Sequence, residues 1–150
     1  MRHRKRGRRL KRTSAHRKAM RRNLVSNLFL VRRIRTTPAK AKEVRSMAEK
    51  LITLAKKGGL AGFRRALAIL DDKYIVRKLF HEIAPAFKER PGGYTRILRL
   101  SSSGNRLGDN APQVIMELLP TGEPAAAAGG KKAPPEAAPK KKKRADAKAG

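Results

Sequence analysis

The sequence predicts an α+β domain, about four helices packed on a small three-stranded sheet, with a basic N-terminal extension and a C-terminal tail. Three observations carry this expectation. Between residues 14 and 84 apolar side chains recur at helical spacing in four stretches. Three shorter stretches, 32–36, 94–100 and 113–119, favour extended backbone. The composition also changes at both ends: residues 1–22 hold 12 basic and no acidic groups, 23–119 hold 19 and 8, and 120–150 hold 8 and 3. Leu, Ile, Val, Phe and Tyr collect in the middle block, so the core is expected there. The division is a basic extension over 1–13, an α+β domain over 14–119 and a tail over 120–150.

Thr13 or Ser14 can cap the first helix by accepting a backbone N–H bond. Met20, Leu24, Leu28 and Val31 then recur at spacings of four, four and three, which places a helix over about 14–31. Its other face shows Arg17, Lys18, Arg21 and Arg22, which continue the basic extension. Residues 32–36 form a short strand. At Thr37-Pro38, a threonine cap and a proline in the first turn start helix two, which runs to about Lys57 with Val44, Met47, Ala48, Leu51, Ile52 and Ala55 on one face. Gly58-Gly59 supplies the left-handed stop. Met47 is read as core filler rather than a ligand.

Leu60, Phe63, Leu67 and Leu70 mark a third helix ending at Asp71-Asp72. Either aspartate can cap a fourth, carrying Ile75, Leu79, Phe80 and Ile83 and stopped by Pro85. With no third carboxylate or histidine nearby in sequence, a cap explains the aspartate pair better than a metal or acid–base site. Turn residues over 85–93 lead into a strand at 94–100, whose partner is 113–119. The connection between them is small and polar with an arginine, Arg106, at its tip, which suits a loop lying against another molecule. From Pro120 the chain turns to Ala, Pro, Gly and Lys, with nothing aliphatic larger than alanine after residue 122. That composition cannot offset backbone ordering entropy, so the tail is expected to be disordered in isolation.

No enzyme is expected. Cysteine is absent, which removes disulfides and thiolate metal sites. The three histidines, His3, His16 and His81, form neither a metal pair at helical spacing nor part of a nucleophilic triad. Gly58-Gly59 and Pro91-Gly92-Gly93 lack the Gly-Lys-Ser/Thr ending of a nucleotide phosphate loop. No metal, cofactor or small-molecule substrate is implied. No run of about 18 apolar residues exists to span a bilayer, and Leu10 and Met20 are too isolated for a secretory signal, so no membrane partner is expected.

The charge points to a different partner. Formal net charge is +28, and of the 12 basic residues in 1–22 nine are arginine. Guanidinium is planar, permanently charged and forked to match phosphate oxygens, so the extension asks for a nucleic acid. No helix-turn-helix, zinc finger or basic zipper is visible, whereas arginine-rich arms commonly thread into structured RNA. The alternative is a nucleoid-associated or histone-like DNA-compacting protein, motivated by the Lys/Ala/Pro tail.

Several segments resemble one family. Met1-Arg2-His3-Arg4-Lys5, Ser14-Ala15-His16-Arg17, Thr36-Thr37-Pro38-Ala39-Lys40-Ala41-Lys42-Glu43, Leu51-Ile52-Thr53-Leu54-Ala55-Lys56, Gly92-Gly93-Tyr94-Thr95-Arg96-Ile97 and Gly108-Asp109-Asn110-Ala111-Pro112 look like the bacterial large-subunit ribosomal protein seventeen family. The likeness covers residues 1 to about 119 in order. It implies a non-catalytic structural constituent of the large ribosomal subunit in the cytoplasm, bound to large-subunit ribosomal RNA and neighbouring ribosomal proteins near the exit of the peptide tunnel. No homo-oligomer is expected. The tail departs from shorter members. The residues expected to touch RNA are Arg2, His3, Arg4, Lys5, Arg8, Arg9, Lys11, Arg12, His16 and Arg17. Tyr94, Arg96 and Arg106 form a second group on the hairpin. Tyr94 is equally readable as a core ring at a strand start. Arg45 and Arg99 are read as a solvated face.

Overall fold

The computed structural model describes residues 7–101 and 104–119. Helix α1 spans Ser14–Val31, and of the two caps open to it the chain uses Thr13, whose hydroxyl accepts the His16 N–H at 3.4 Å. Arg32 ends the helix in the left-handed region at φ 62°, its N–H returning to the Leu28 carbonyl. The buried face is Met20, Val25, Leu28 and Phe29, with Leu24 half-buried. Val31, expected in that stripe, is 69 % exposed. At the helix end the chain turns away into the sheet, and Phe29 supplies the larger apolar surface from the previous turn.

Strand β1 is Arg33–Thr36 and helix α2 is Pro38–Lys57. Thr37 stands at the N-cap with extended backbone but makes no side-chain cap bond, so the α2 start rests on proline geometry. Gly58 and Gly59 both take positive φ, 69° and 81°, and reverse the chain directly into α3, Gly59–Leu70. Gly62 lies against α2 there: a Cβ at that position would stand in ordinary van der Waals contact, 3.5 Å from the Leu54 carbonyl. The third helix buries Gly62, Ala66 and Leu70 while Phe63 and Leu67 are half-covered; Leu60, expected on the inner face, is 64 % exposed.

Helix four departs most from the sequence reading. Asp72 is its cap, accepting the N–H groups of Tyr74 and Ile75, whereas Asp71 closes α3 in the left-handed region. Helix α4, Lys73–Lys78, runs into a π turn at Leu79–Ile83 and a last turn, α5, at Ala84–Ala86. Pro85 therefore does not stop the helix. Proline lacks the N–H that would reach back four residues and crowds that carbonyl. The wider turn before it, closed by Ala84 N–H onto the Leu79 carbonyl, lets the helical path continue past it.

Strands β2, Thr95–Arg99, and β3, Val114–Leu118, pair antiparallel, and β3 also pairs with β1, giving the order β1-β3-β2. Period-two alternation sorts the sheet. Val114, Met116 and Leu118 face the helices with Ile34 and Ile97, while Glu117, Arg33 and Arg96 lie side by side on the other face. The expected α+β architecture, four helical rods against three strands, is the observed one. The tail expected over 120–150 lies outside the described residues.

Candidate nucleic-acid interface

The described part of the extension is pinned by one carboxylate. Glu43, on α2, accepts the backbone N–H of Arg8 at 2.9 Å and Nη1 of Arg21 at 3.3 Å, with its side chain only 11 % exposed. Gly7 passes so near that a Cβ there would lie 3.5 Å from the same carboxylate, with φ at 83°. The chain then makes a tight turn, Arg12 N–H donating to the Arg9 carbonyl, with Leu10 and Lys11 both in the left-handed region at φ 52° and 49°. Non-glycine residues enter that region at a cost of order 1–3 kcal/mol each and persist only where surrounding contacts hold them. Here those contacts are the Glu43 anchor before the turn and the Arg17 Nη1 bond to the Arg12 carbonyl, 3.1 Å, after it.

Between the extension, the start of α1 and the flank of α2 lies a cleft of about 860 Å³. Arg8, Arg9, Arg12, Arg17, Arg21 and Lys50 line it, with Glu43 as the single acid and Ser14 and Ser46 as neutral donors. Six cations around one carboxylate leave a strong positive excess in a concave site, where field lines concentrate. The buried Nε of Arg21 finds no hydrogen-bond partner among the described residues.

Of the residues expected to contact RNA, the structure brings Arg8, Arg9, Arg12 and Arg17 into this cleft. His16 lies exposed one turn into α1 with Nε2 against Nη1 of Arg12, and Lys11 is exposed on the turn outside the lining. Arg2, His3, Arg4 and Lys5 lie outside the described residues.

Each of the three hairpin residues has a partner within the protein. Tyr94 is 1 % exposed, packed edge-on against Phe87 with ring centroids 5.3 Å apart and its hydroxyl 3.2 Å from Lys56 Nζ. Of its two readings, the core ring is the one the structure holds, because a ring buried to that degree offers no face to a partner. Arg96 donates from Nε to Glu117 at 2.8 Å, and Arg33 reaches the other oxygen of the same carboxylate at 3.2 Å. Arg106 grips Asp109 with Nε and Nη2, the Nε bond being 2.9 Å. That grip, with the Ala111 N–H donating to the same carboxylate, lowers the Asp109 pKa to about 2 and raises that of Arg106. Its neighbour Leu107 is 99 % exposed.

Sequence reasoning missed Glu43, Ser46 and Lys50 as parts of the cleft. They sit 30 to 40 residues from the extension and carry no local signal. The basic face of α1 also divides: Arg21 enters the cleft, while Arg22 bonds the Ile69 carbonyl at 3.1 Å and Asp71 at 2.7 Å, closing α1 onto α3.

Among the described residues, no group of three or more His, Cys, Asp or Glu could hold a metal ion, and no helix is long and apolar enough to cross a membrane. The class these features define is a small, strongly basic α+β domain with a cation-lined cleft at the root of an arginine-rich extension. Residues 20–119 match the family described as ribosomal protein L17, and this chain belongs to that family, one of structural ribosomal components and not of enzymes. It is 55 % identical over 119 residues to the large ribosomal subunit protein bL17 of Syntrophotalea carbinolica, covering 79 % of this chain and 75 % of that one. The protein of the same name from Pelobacter propionicus is 56 % identical over 119 residues, 79 % of this chain and 91 % of the relative. The one from Trichlorobacter lovleyi is 53 % identical over 124 residues, 83 % and 98 %.

Proposed function

We propose that this chain is a structural constituent of the large ribosomal subunit, in the cytoplasm, that binds large-subunit ribosomal RNA through its arginine-rich extension and the cleft at the extension's root. The observation that supports it is the cleft itself: guanidinium groups from the extension and α1, with Lys50 of α2, converge on one concavity that holds a single acid. Phosphate oxygens are the ligands such a fork-lined, positive concavity accepts best. The relatives' names supply the particle. Residues 1–13 act as the RNA-gripping extension, and 14–119 as the body that holds it in position. Neighbouring ribosomal proteins and a place near the exit of the peptide tunnel complete the reading, the latter resting on the family resemblance alone.

Sedimentation tests it. The tagged full chain is expected to travel with large subunits at moderate salt, and ultraviolet crosslinks are expected on large-subunit ribosomal RNA from peptides spanning 7–21. A chain that stays soluble away from the subunits, or whose adducts fall mainly on chromosomal DNA, would refute the reading.

A further inference from the structure

A second cleft, of about 730 Å³, opens beside the first and shares Arg21, Ser46 and Lys50 with it. Its chemistry differs. Met47, Leu51 and Leu54 of α2 with Ala68 and Ile69 of α3 give it an apolar lining, and no acid is among the lining residues. Lys18, Lys57 and Arg65 also line it. It exists because α2 and α3, joined at Gly58, pack closely at Gly62 and Leu54 and leave the outer edges of their apolar faces uncovered. Met47, Leu54 and Ile69 are only partly buried against the core.

We infer that this second cleft receives an unstacked nucleotide of the same RNA strand whose phosphates lie in the first. The inference rests on the ribosomal-RNA reading and adds to it a site for a base. A nucleotide combines a flat, weakly polar ring with an anionic linkage, and the two clefts offer those surfaces side by side. Lys50 and Arg21 stand where phosphates would pass from one to the other, and the ring lies on Met47, Leu54 and Ile69. Proteins that hold splayed bases set a charged backbone track beside a surface for the ring, commonly aromatic side chains or guanidinium planes; here that surface is aliphatic, with Arg65 in the same lining. An amphipathic acidic peptide is the other macromolecule with matching chemistry. Continuity with the arginine-lined cleft favours RNA, because one strand can fill both without a break.

The test uses the full chain and a large-subunit ribosomal RNA transcript, with affinity read as a function of salt. Ala68 is exposed on α3 and lines the second cleft, so Ala68→Leu fills space there without changing charge or core and without adding a ring on which a base could stack. Its expected effect is an affinity loss of about tenfold at fixed salt, as apolar contact with the ring is displaced, with the log–log salt slope unchanged. Lys50→Ala is expected instead to flatten the slope by about one phosphate's worth, 0.7 to 0.9. Thr53→Leu, from the α2 wall, repeats the first arm should Ala68→Leu unfold. Base adducts on the peptide containing Met47 and Leu54 after ultraviolet irradiation would support the site. Unchanged affinity in both leucine variants, or no base adduct on that peptide while peptides spanning 7–21 still crosslink to the transcript, would overturn the base site while leaving the first cleft standing. Absence of any salt-dependent RNA binding by the wild-type chain would overturn the ribosomal-RNA reading as well.

Discussion

The backbone N–H of Arg8 donates to the Glu43 carboxylate across 35 residues of sequence, and that bond ties the extension to α2. The same carboxylate takes Arg21 from α1, so three segments meet on one side chain. An acid inside a ring of cations is a sign of positioning: it fixes where the arginines stand at the expense of one unit of positive charge.

Glu43→Ala is therefore expected to release the root of the extension. Hydrogen exchange at the Arg8 amide should accelerate strongly, and melting should fall by a few degrees, corresponding to about 1–2 kcal/mol for a part-buried charged hydrogen bond. Glu43→Gln, which keeps an acceptor oxygen, should fall between. An Arg8 amide that exchanges equally fast in wild type and Glu43→Ala would show that the anchor does not form.

Tyr94 should behave as a core residue in every measurement. Tyr94→Ala is expected to cost about 3–5 kcal/mol by leaving a cavity beside Phe87, whereas Tyr94→Phe should cost only about 1 kcal/mol, the value of the lost hydroxyl bond. The folded Tyr94→Phe protein should bind RNA as the wild type does. A large affinity loss at unchanged stability would contradict its burial.

The Arg106–Asp109 pair sets a pH dependence whose sign is fixed. Asp109 titrates near 2 in the fold against an ordinary 3.8, held down by the Arg106 guanidinium and the Ala111 N–H. A depressed carboxylate adds stability that is fully present above the ordinary value and is lost as pH falls from about 4 through 2. The pair is exposed to solvent, so screening keeps the effect on global melting small. Carboxyl chemical shifts should show the low midpoint in wild type and its return toward 3.8 in Arg106→Ala.

Salt dependence counts the phosphates held by the extension and by α1. Removal of residues 2–12 should flatten the log–log dependence of RNA affinity by several units if about eight phosphates are engaged, at roughly 0.7–0.9 each. Arg17→Ala and Arg21→Ala should each remove about one such contact. An unchanged slope after the deletion would place the contacts elsewhere.

Much of this was legible from the chain. Helices over 14–31 and 38–57 appear with the expected bounds because caps, proline and glycine at their ends are local signals that no distant contact overrides. The path through Pro85 was not legible, since a π turn is stabilised by what packs around Leu79 and Ile83, both buried. Nor could the pattern separate Tyr94 as core from Tyr94 as contact: an aromatic residue at a strand start suits both until Phe87 and Lys56 are placed beside it. Arg96 and Arg106 read as available cations, yet each has a carboxylate opposite it, one supplied by strand register and one by a loop closing on itself.

Sequence alone determined the α+β class, the bounds of the long helices and the concentration of charge in the extension, because periodicity, capping and composition act over a few residues or need no geometry. Tertiary structure decided which cations share a concavity. Glu43, Ser46 and Lys50 come to the extension only because α2 packs across α1, and Arg22 leaves the cleft only because α3 presents the Ile69 carbonyl and Asp71 to it. Charge is additive along a chain, but an electrostatic site depends on distance, and distance is set by packing.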